Sequence, residues 1–247
     1  MVVGKGNANE GFYQSMLKKI ESRGMGSSDL GWLKSKFHFS FADYHNAENI
    51  NFGVLRVLND DLVQPQTGFD THSHRDMEII SYVIDGELTH ADSLGQQRTL
   101  TRGDIQYMSA GTGIHHSEHN FGQVTARFLQ IWIFPDKKGY PPKYGDYRLP
   151  LESRKNKWCH IVSGIAGDAP VRINQDANIY VIQIDKDKEV NFSVKNGRQA
   201  YLVQMEGTST IYGIDLSERD AMEITEENIL LKSVQLSHCI LIEMQKN

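Results

Sequence analysis

Two short segments carry the residue types that bind divalent metals: Thr71-His72-Ser73-His74-Arg75-Asp76-Met77-Glu78 and, further along, Gly113-Ile114-His115-His116-Ser117-Glu118-His119-Asn120. Six of the ten histidines fall between positions 72 and 119, whereas past the middle of the chain only His160 and His238 remain. Imidazole nitrogen and carboxylate oxygen are the donors that such ions take from proteins, so this asymmetry predicts one metal site. On a β-strand, residues two apart share a face, roughly 7 Å apart. His72 and His74 then point one way on their strand, and His116 and Glu118 one way on theirs, with His115 and His119 turned away. Two neighbouring strands would supply three histidines and one carboxylate.

The elements that must position these residues read as antiparallel all-β. From Phe37 onward, short apolar runs (Gly53 to Leu58, Glu78 to Ile84, Ile105 to Met108, Arg127 to Phe134) alternate with turn signals: Asn59-Asp60-Asp61, Asp85-Gly86, Ser93-Leu94-Gly95 and Arg102-Gly103-Asp104. Pro135, Pro141, Pro142 and Pro150 fall in one polar stretch that cannot form a central strand, which predicts a linker over 135–157. The second half repeats the rhythm of the first. Tyr201 to Gly207 resembles Tyr82 to Gly86, each an apolar run closing on an acidic-Gly turn, so the fold is expected to be a duplicated barrel. Counting back from Gly207 puts Ser193 and Lys195 where His72 and His74 stand in the first copy, so the second copy has no ligands. The expected organisation is an N-terminal extension over 1–30, partly mobile, a metal-binding barrel over 31–134, the linker, and a metal-free barrel over 158–247. Phe12, Met16, Leu17 and Ile20 are spaced for at most two helical turns within the extension.

Composition narrows the function classes. The 247 residues suffice for two domains, each with its own core. The net charge is −5, and the small basic clusters at Lys34 to Lys36 and Lys137-Lys138 are diluted by acids, so no surface tracks a phosphate backbone. No apolar stretch approaches the roughly 18 residues of a membrane span, and no signal-peptide core opens the chain, which makes the cytoplasm the expected location. Cys159 and Cys239 are the only cysteines, both in apolar surroundings, and are expected to sit reduced inside strands.

The order His-x-His-x3-Glu, Gly103-Asp104-Ile105, Ser109-Ala110-Gly111-Thr112-Gly113 and a further histidine resembles the two motifs of the cupin superfamily. More narrowly, Phe39-Ser40-Phe41-Ala42-Asp43-Tyr44, His72-Ser73-His74, Asp92-Ser93-Leu94-Gly95, Met108 to Gly113 and His116-Ser117-Glu118 resemble the pirin family, in order and from about Gly31 to the C-terminus. Ser73 stands where most pirins have Pro, and His115 where Val or Arg is commoner. The resemblance implies two tandem jelly-roll-like cupin barrels, a bicupin, with a metal in the first. It implies the ligands His72, His74, His116 and Glu118, and quercetin 2,3-dioxygenase activity of the kind found in the bacterial branch.

Three neutral imidazoles and one carboxylate leave a divalent ion with a net charge of about +1 and, at six-coordination, two open positions, which suits Fe(II), Mn, Co, Ni or Cu better than structural zinc. Iron is the expected metal, with adventitious Zn among the alternatives. Glu78 shares parity with His72 and His74 and stands as the alternative carboxylate, as ligand or as proton acceptor beside Glu118. The expected substrates are a flat flavonol-like aromatic and O2, in an apolar pocket. Alternation places Phe128, Gln130, Trp132 and Phe134 on one strand face, with Gln130 either a satisfied core amide or a partner of the site. Two other readings stay open. One is a non-enzymatic, iron-dependent regulatory protein that acts through a protein partner, and the other is a cupin isomerase or hydrolase. A monomer is expected, because the second barrel can cover the first barrel's apolar flank. His38, His45, His90, His160 and His238 are expected to be hydrogen-bonded core residues.

Overall fold

The computed structural model describes residues 16–246, which form 22 strands, numbered here in chain order. One seven-stranded sheet runs β12 (Lys143–Tyr147), β9 (Ile105–Ser109), β6 (Glu78–Asp85), β11 (Ala126–Ile133), β4 (Leu55–Val63), β3 (Leu33–Phe37) and β2 (Gly26–Asp29). It curls over a four-stranded sheet of β5 (Thr67–His74), β10 (Ile114–Asn120), β7 (Glu87–Asp92) and β8 (Gln97–Thr101). The second half repeats this layout. Its large sheet runs β1 (Leu17–Ile20), β20 (Ala221–Thr225), β17 (Arg198–Glu206), β22 (Ser237–Gln245), β15 (Ala177–Ile184), β13 (Cys159–Gly164) and β14 (Val171–Ile173). Its small sheet runs β16 (Glu189–Ser193), β21 (Asn228–Ser233), β18 (Ser209–Ile211) and β19 (Ile214–Leu216). The fold is a bicupin, almost wholly β.

The two large sheets pack back to back. Ile80, Tyr82, Ile84, Leu129 and Ile131 of the first half meet Ile179, Val181, Tyr201, Val203 and Ile242 of the second in one continuous core. Strands covered on both faces read as unbroken apolar runs, which is why β6 and β22 lose the simple alternation of a half-exposed strand. The repeat seen in the sequence is structural. Gly86 and Gly207 both adopt positive φ (71° and 77°), and a Cβ on either would press into the backbone entering the neighbouring strand, at Ala126 Cα and at the Leu236 carbonyl. Tyr82 and Tyr201 each reach a histidine of the other barrel. Tyr82 Oη lies 2.9 Å from His238 Nε2, and Tyr201 Oη lies 3.0 Å from His38 Nδ1.

Four expectations are revised by the structure. Residues 1–15 lie outside the described part of the chain, but 17–29 are ordered structure: β1 joins the second barrel, and β2 edges the first. Leu17 and Ile20 had a spacing compatible with a helix, but their pairing with Ile224 and Ala221 makes them an edge strand. The stretch 135–157 connects the barrels yet also contributes β12, which hydrogen-bonds along β9. Asn59-Asp60-Asp61, read as a turn, sits in the middle of β4 with all three residues buried. Asp60 is neutralised at the joint between the barrels, where Arg127 grips it through Nε (3.0 Å) and Nη2 (2.6 Å), and Arg219 Nε lies 3.1 Å away. Arg127 also donates to Glu218 and to the Met205 carbonyl, tying the first barrel to the second. Cys159 and Cys239 are free thiols within β13 and β22, as expected. Among the described residues no helix is long and apolar enough to cross a membrane.

Candidate metal centre

The small sheet of the first barrel brings the predicted histidines together through its register. β5 and β10 pair so that His72 lies opposite His116, and β7 on the other side of β10 sets Asp92 opposite His116 and His90 opposite Glu118. The rings of His72, His74 and His116 sit 4.5–5.0 Å apart, and one ligand atom from each falls within 4.8 Å of the others. Glu118, one step deeper along β10, falls within the same distance of His116 and His90, in a second group that overlaps the first at His116. Among the described residues both groups belong to the first barrel.

Hydrogen bonds fix which nitrogen each imidazole offers. His72 Nδ1 lies 2.7 Å from the Asp70 carbonyl and must donate to it, which leaves the Nε2 lone pair free. Asp92 accepts from His90 Nε2 (2.9 Å), so His90 Nδ1 is an acceptor. It lies 3.4 Å from His116 Nδ1 and takes that proton. His116 Nε2 is then an acceptor, buried and without a partner. A buried unpaired nitrogen is costly, and a cation shared with His72 and His74 would satisfy it. Burial, followed by repulsion from His72 and the neighbouring histidines, pushes His116 down to about 3; burial, followed by His116 and His72, pushes His74 down to about 4. Both rings are neutral at physiological pH, the form that coordinates metal. The donor set therefore fits a divalent ion.

Glu118 is held by a row of polar side chains that crosses the large sheet. The ladder sets Asn59 of β4 beside Gln130 of β11, Gln130 beside Ser81 of β6, and Ser81 beside Gln106 of β9. Gln106 Nε2 donates to Glu118 Oε1 (2.6 Å), Gln130 Nε2 donates to Oε2 (2.8 Å), and the Ser81 hydroxyl lies 3.0 Å from Oε1. Gln130 is thus both a satisfied core amide and a partner of a predicted ligand. Phe128, Gln130 and Trp132 share the barrel-facing side as expected. The strand ends at Ile133 after a register shift, which leaves Phe134 exposed.

Glu78 is turned the other way. The chain bends between β5 and β6, with Asp76 at φ 50°, so the two-residue parity from His74 does not carry across. Glu78 faces the second barrel, where its carboxylate accepts from the Ser109 hydroxyl (2.7 Å) and from the Asn174 backbone (3.1 Å) and side chain (3.2 Å). It joins the barrels and takes no place among the metal-type residues. His115 is exposed, and His119 stacks on Phe121 with Asp70 at 3.5 Å, both off the site as expected. His38, His160 and His238 are hydrogen-bonded, but His45 is exposed rather than core. His90 is buried and hydrogen-bonded, yet it also belongs to the site, because it orients His116. The alternating pair His90-x-Asp92 was the available signal.

A cavity of about 390 Å³ opens on the cluster, reaching His72, His74, Glu118 and Gln130 between walls of Trp32, Phe37, Phe69 and Trp132. Asn59 and Asp61 also line it. Burial pushes the Asp61 carboxyl up to about 7, opposed by a hydrogen bond from the Ser35 hydroxyl and reinforced by repulsion from Asp60 and Glu118.

Two duplicated barrels, with the overlapping histidine and carboxylate groups of the described residues confined to the first, define a bicupin with a candidate metal centre. The chain belongs to the pirin family: the pirin family pattern matches residues 18–133, and that of the quercetinase C-terminal cupin domain matches 149–244. It is 41% identical over 207 residues to a pirin-like protein of Caulobacter vibrioides, covering 83% of this chain and 89% of that one. It is 36% identical over 215 residues to the quercetin 2,3-dioxygenase of Escherichia coli K12, covering 87% and 91%. The crystal structure of the bacterial pirin YhhW of Escherichia coli in complex with nickel(II) superposes with a TM-score of 0.88 at 32% identity, over 94% of this chain and 100% of that one.

Proposed function

We propose that the protein is a metal-dependent dioxygenase that opens the central ring of a flavonol such as quercetin. His72, His74, His116 and Glu118 would hold the ion. The observation that carries this reading is the buried, unpaired His116 Nε2, with the rings of His72 and His74 4.5 and 5.0 Å from its own, at the end of an aromatic-walled cavity. The relative named quercetin 2,3-dioxygenase supports the substrate class, and the nickel-bound relative supports a divalent ion. Fe(II) is the ion proposed here, because a nitrogen and oxygen donor set without thiolate suits oxygenase iron.

When bound, the metal supplies Lewis-acid polarisation of the flavonol hydroxyl and a common template for substrate and O2. The chain's own residues do the rest. Glu118 takes the proton from the substrate hydroxyl at a carboxylate oxygen, and Gln106 and Gln130 hold that carboxylate in place before and after the transfer. Asp92 and His90 keep the His116 tautomer fixed throughout. Trp32, Phe69 and Trp132 sandwich a flat ring system and keep water from it. The protein works as a cytoplasmic monomer on a small molecule, without nucleic acid or membrane.

The test is quercetin consumption by iron-loaded protein in air, with labelled O2. Two labelled atoms in the product, with loss of turnover under nitrogen and in His72→Ala, are expected. A protein that loads iron stoichiometrically yet leaves quercetin intact in air would instead point to the regulatory role, and one that converts it without label would point to an isomerase or hydrolase.

A further inference from the structure

The mechanism above leaves two buried polar groups of the cavity unused. Asn59 and Asp61 sit two residues apart on β4, so both side chains take the same face, the one that turns into the barrel beside Gln130 and Phe128. Each is only 3% exposed. Asn59 Oδ1 and Asp61 Oδ1 are both buried without a hydrogen-bond partner, and both residues line the cavity. A core would not keep two unsatisfied oxygens on one strand face of a largely aromatic and aliphatic chamber without a reason, since each costs as much as a lost hydrogen bond. They belong to the large sheet, whereas His72 and His74 come from the small sheet facing it, so a ligand held at the imidazoles meets them at another edge.

We propose that Asn59 and Asp61 form a hydroxyl-recognising subsite that decides which aromatic ligands the cavity accepts, by taking a ring hydroxyl on the edge the imidazoles do not engage. The proposal rests on the flavonol reading and sharpens it from flat aromatic to polyhydroxylated aromatic. The substrate hydroxyl donates to one oxygen and completes a pair that is empty without it. A ligand of the same shape lacking that hydroxyl buries both oxygens unpaired and is rejected for that reason, the asymmetry by which hydrogen-bonding pockets discriminate more sharply than apolar ones. Neither residue belongs to the groups that could hold a metal, so loading should not depend on them. Ser35, whose hydroxyl hydrogen-bonds Asp61, keeps that side chain in place.

Binding to metal-loaded protein under nitrogen, where nothing is turned over, tests the subsite by quenching of tryptophan fluorescence from Trp32 and Trp132. The probes are quercetin and 3-hydroxyflavone, which share the chelating hydroxyl and carbonyl but differ in every other ring hydroxyl. Wild-type protein is expected to bind quercetin at least about ten-fold more tightly, the value of one hydrogen bond to a buried group. Asn59→Leu and Asp61→Leu bring the ratio towards one by weakening quercetin alone, with metal content unchanged. Asp61→Asn, which keeps an acceptor and a donor, retains most of the preference. Equal binding of the two probes to wild-type protein overturns the subsite while leaving the flavonol reading intact, and this arm stands even if the leucine variants do not fold. Equal weakening of both probes in the variants also overturns it, as the mark of a merely structural role. If neither probe binds wild-type protein, the flavonol reading and the subsite fall together.

Discussion

The two barrels share one strand order and differ in what fills them. In the first, the row across β4, β11, β6 and β9 is Asn59, Gln130, Ser81 and Gln106. By ladder register the same row in the second, across β15, β22, β17 and β20, is Tyr180, Leu241, Leu202 and Met222. The small sheets differ likewise. Phe69, Glu118 and His90 of the first correspond to Val190, Leu231 and Ile211 of the second, and His72 and His116 to Phe192 and Ile229, counted from the matching corners where Gln66 and Asp187 donate to the Asn120 and Ser233 carbonyls. Leu231 and Ile211 pack with Leu202, Met222 and Leu241 into a continuous apolar cluster, whereas the first barrel's interior core is split into two smaller ones on either side of its polar band. The difference teaches that metal ligands alone do not make such a site. A carboxylate can be buried at Glu118 because three strands deliver amide and hydroxyl donors at one level, from Gln130, Ser81 and Gln106, and a barrel without them can keep only hydrocarbon there.

That contrast can be broken or sharpened at several points. The largest effect is expected at the joint that makes the two halves one body: Arg127→Leu leaves Asp60 buried without its main partner and lowers stability by about 3–5 kcal/mol, read by denaturant unfolding. Next, His116→Ala removes a nitrogen that nothing else replaces, and metal affinity falls by more than the roughly hundred-fold typical of losing an outer partner, measured by metal content after dialysis. Gln106→Leu keeps every ligand but strips Glu118 of its shortest donor, and a ten- to hundred-fold loss of metal affinity on the order of other such partners is expected in competition titrations. Retention of full affinity there would mean that the polar row is dispensable and that the two interiors differ only in their ligands. Smallest of all, Ser193→Ala with Lys195→Ala leaves metal content unchanged, because both side chains are exposed.

Legibility in the sequence followed the same division. That His72, His74 and His116 meet, and that Glu118 meets His116, was readable because period-two alternation within one strand needs no knowledge of the fold. Parity failed at Glu78, where a bend separates it from His74 and only the tertiary structure sets its direction. The duplication was visible in the Tyr82 and Tyr201 runs, but counting back from Gly207 landed on Ser193 and Lys195, whereas register gives Phe192 and Val194. The connection from β16 to β17 is one residue longer than that from β5 to β6 and shifts the count, while the bulge between Gln204 and Glu206 has its counterpart between Val83 and Asp85. Asn59-Asp60-Asp61 resembled a turn because three consecutive polar residues usually cannot be buried. Here Asp60 turns to two arginines from distant strands and loops, and the other two turn to a cavity, neither of which local sequence displays. The polar row itself is assembled from residues scattered between positions 59 and 130, and only hydrogen-bonded pairing lines them up.

Pairing of Leu17–Ile20 with residues 221–224 stitches the first described strand onto one that follows it only after the whole front barrel in sequence. The rear barrel's border is therefore zipped by a piece of chain that belongs, by sequence, to the other side of the front barrel. Cutting between the halves would strand that piece on the wrong fragment, so the carboxy-terminal portion expressed by itself would carry a bare, association-prone margin.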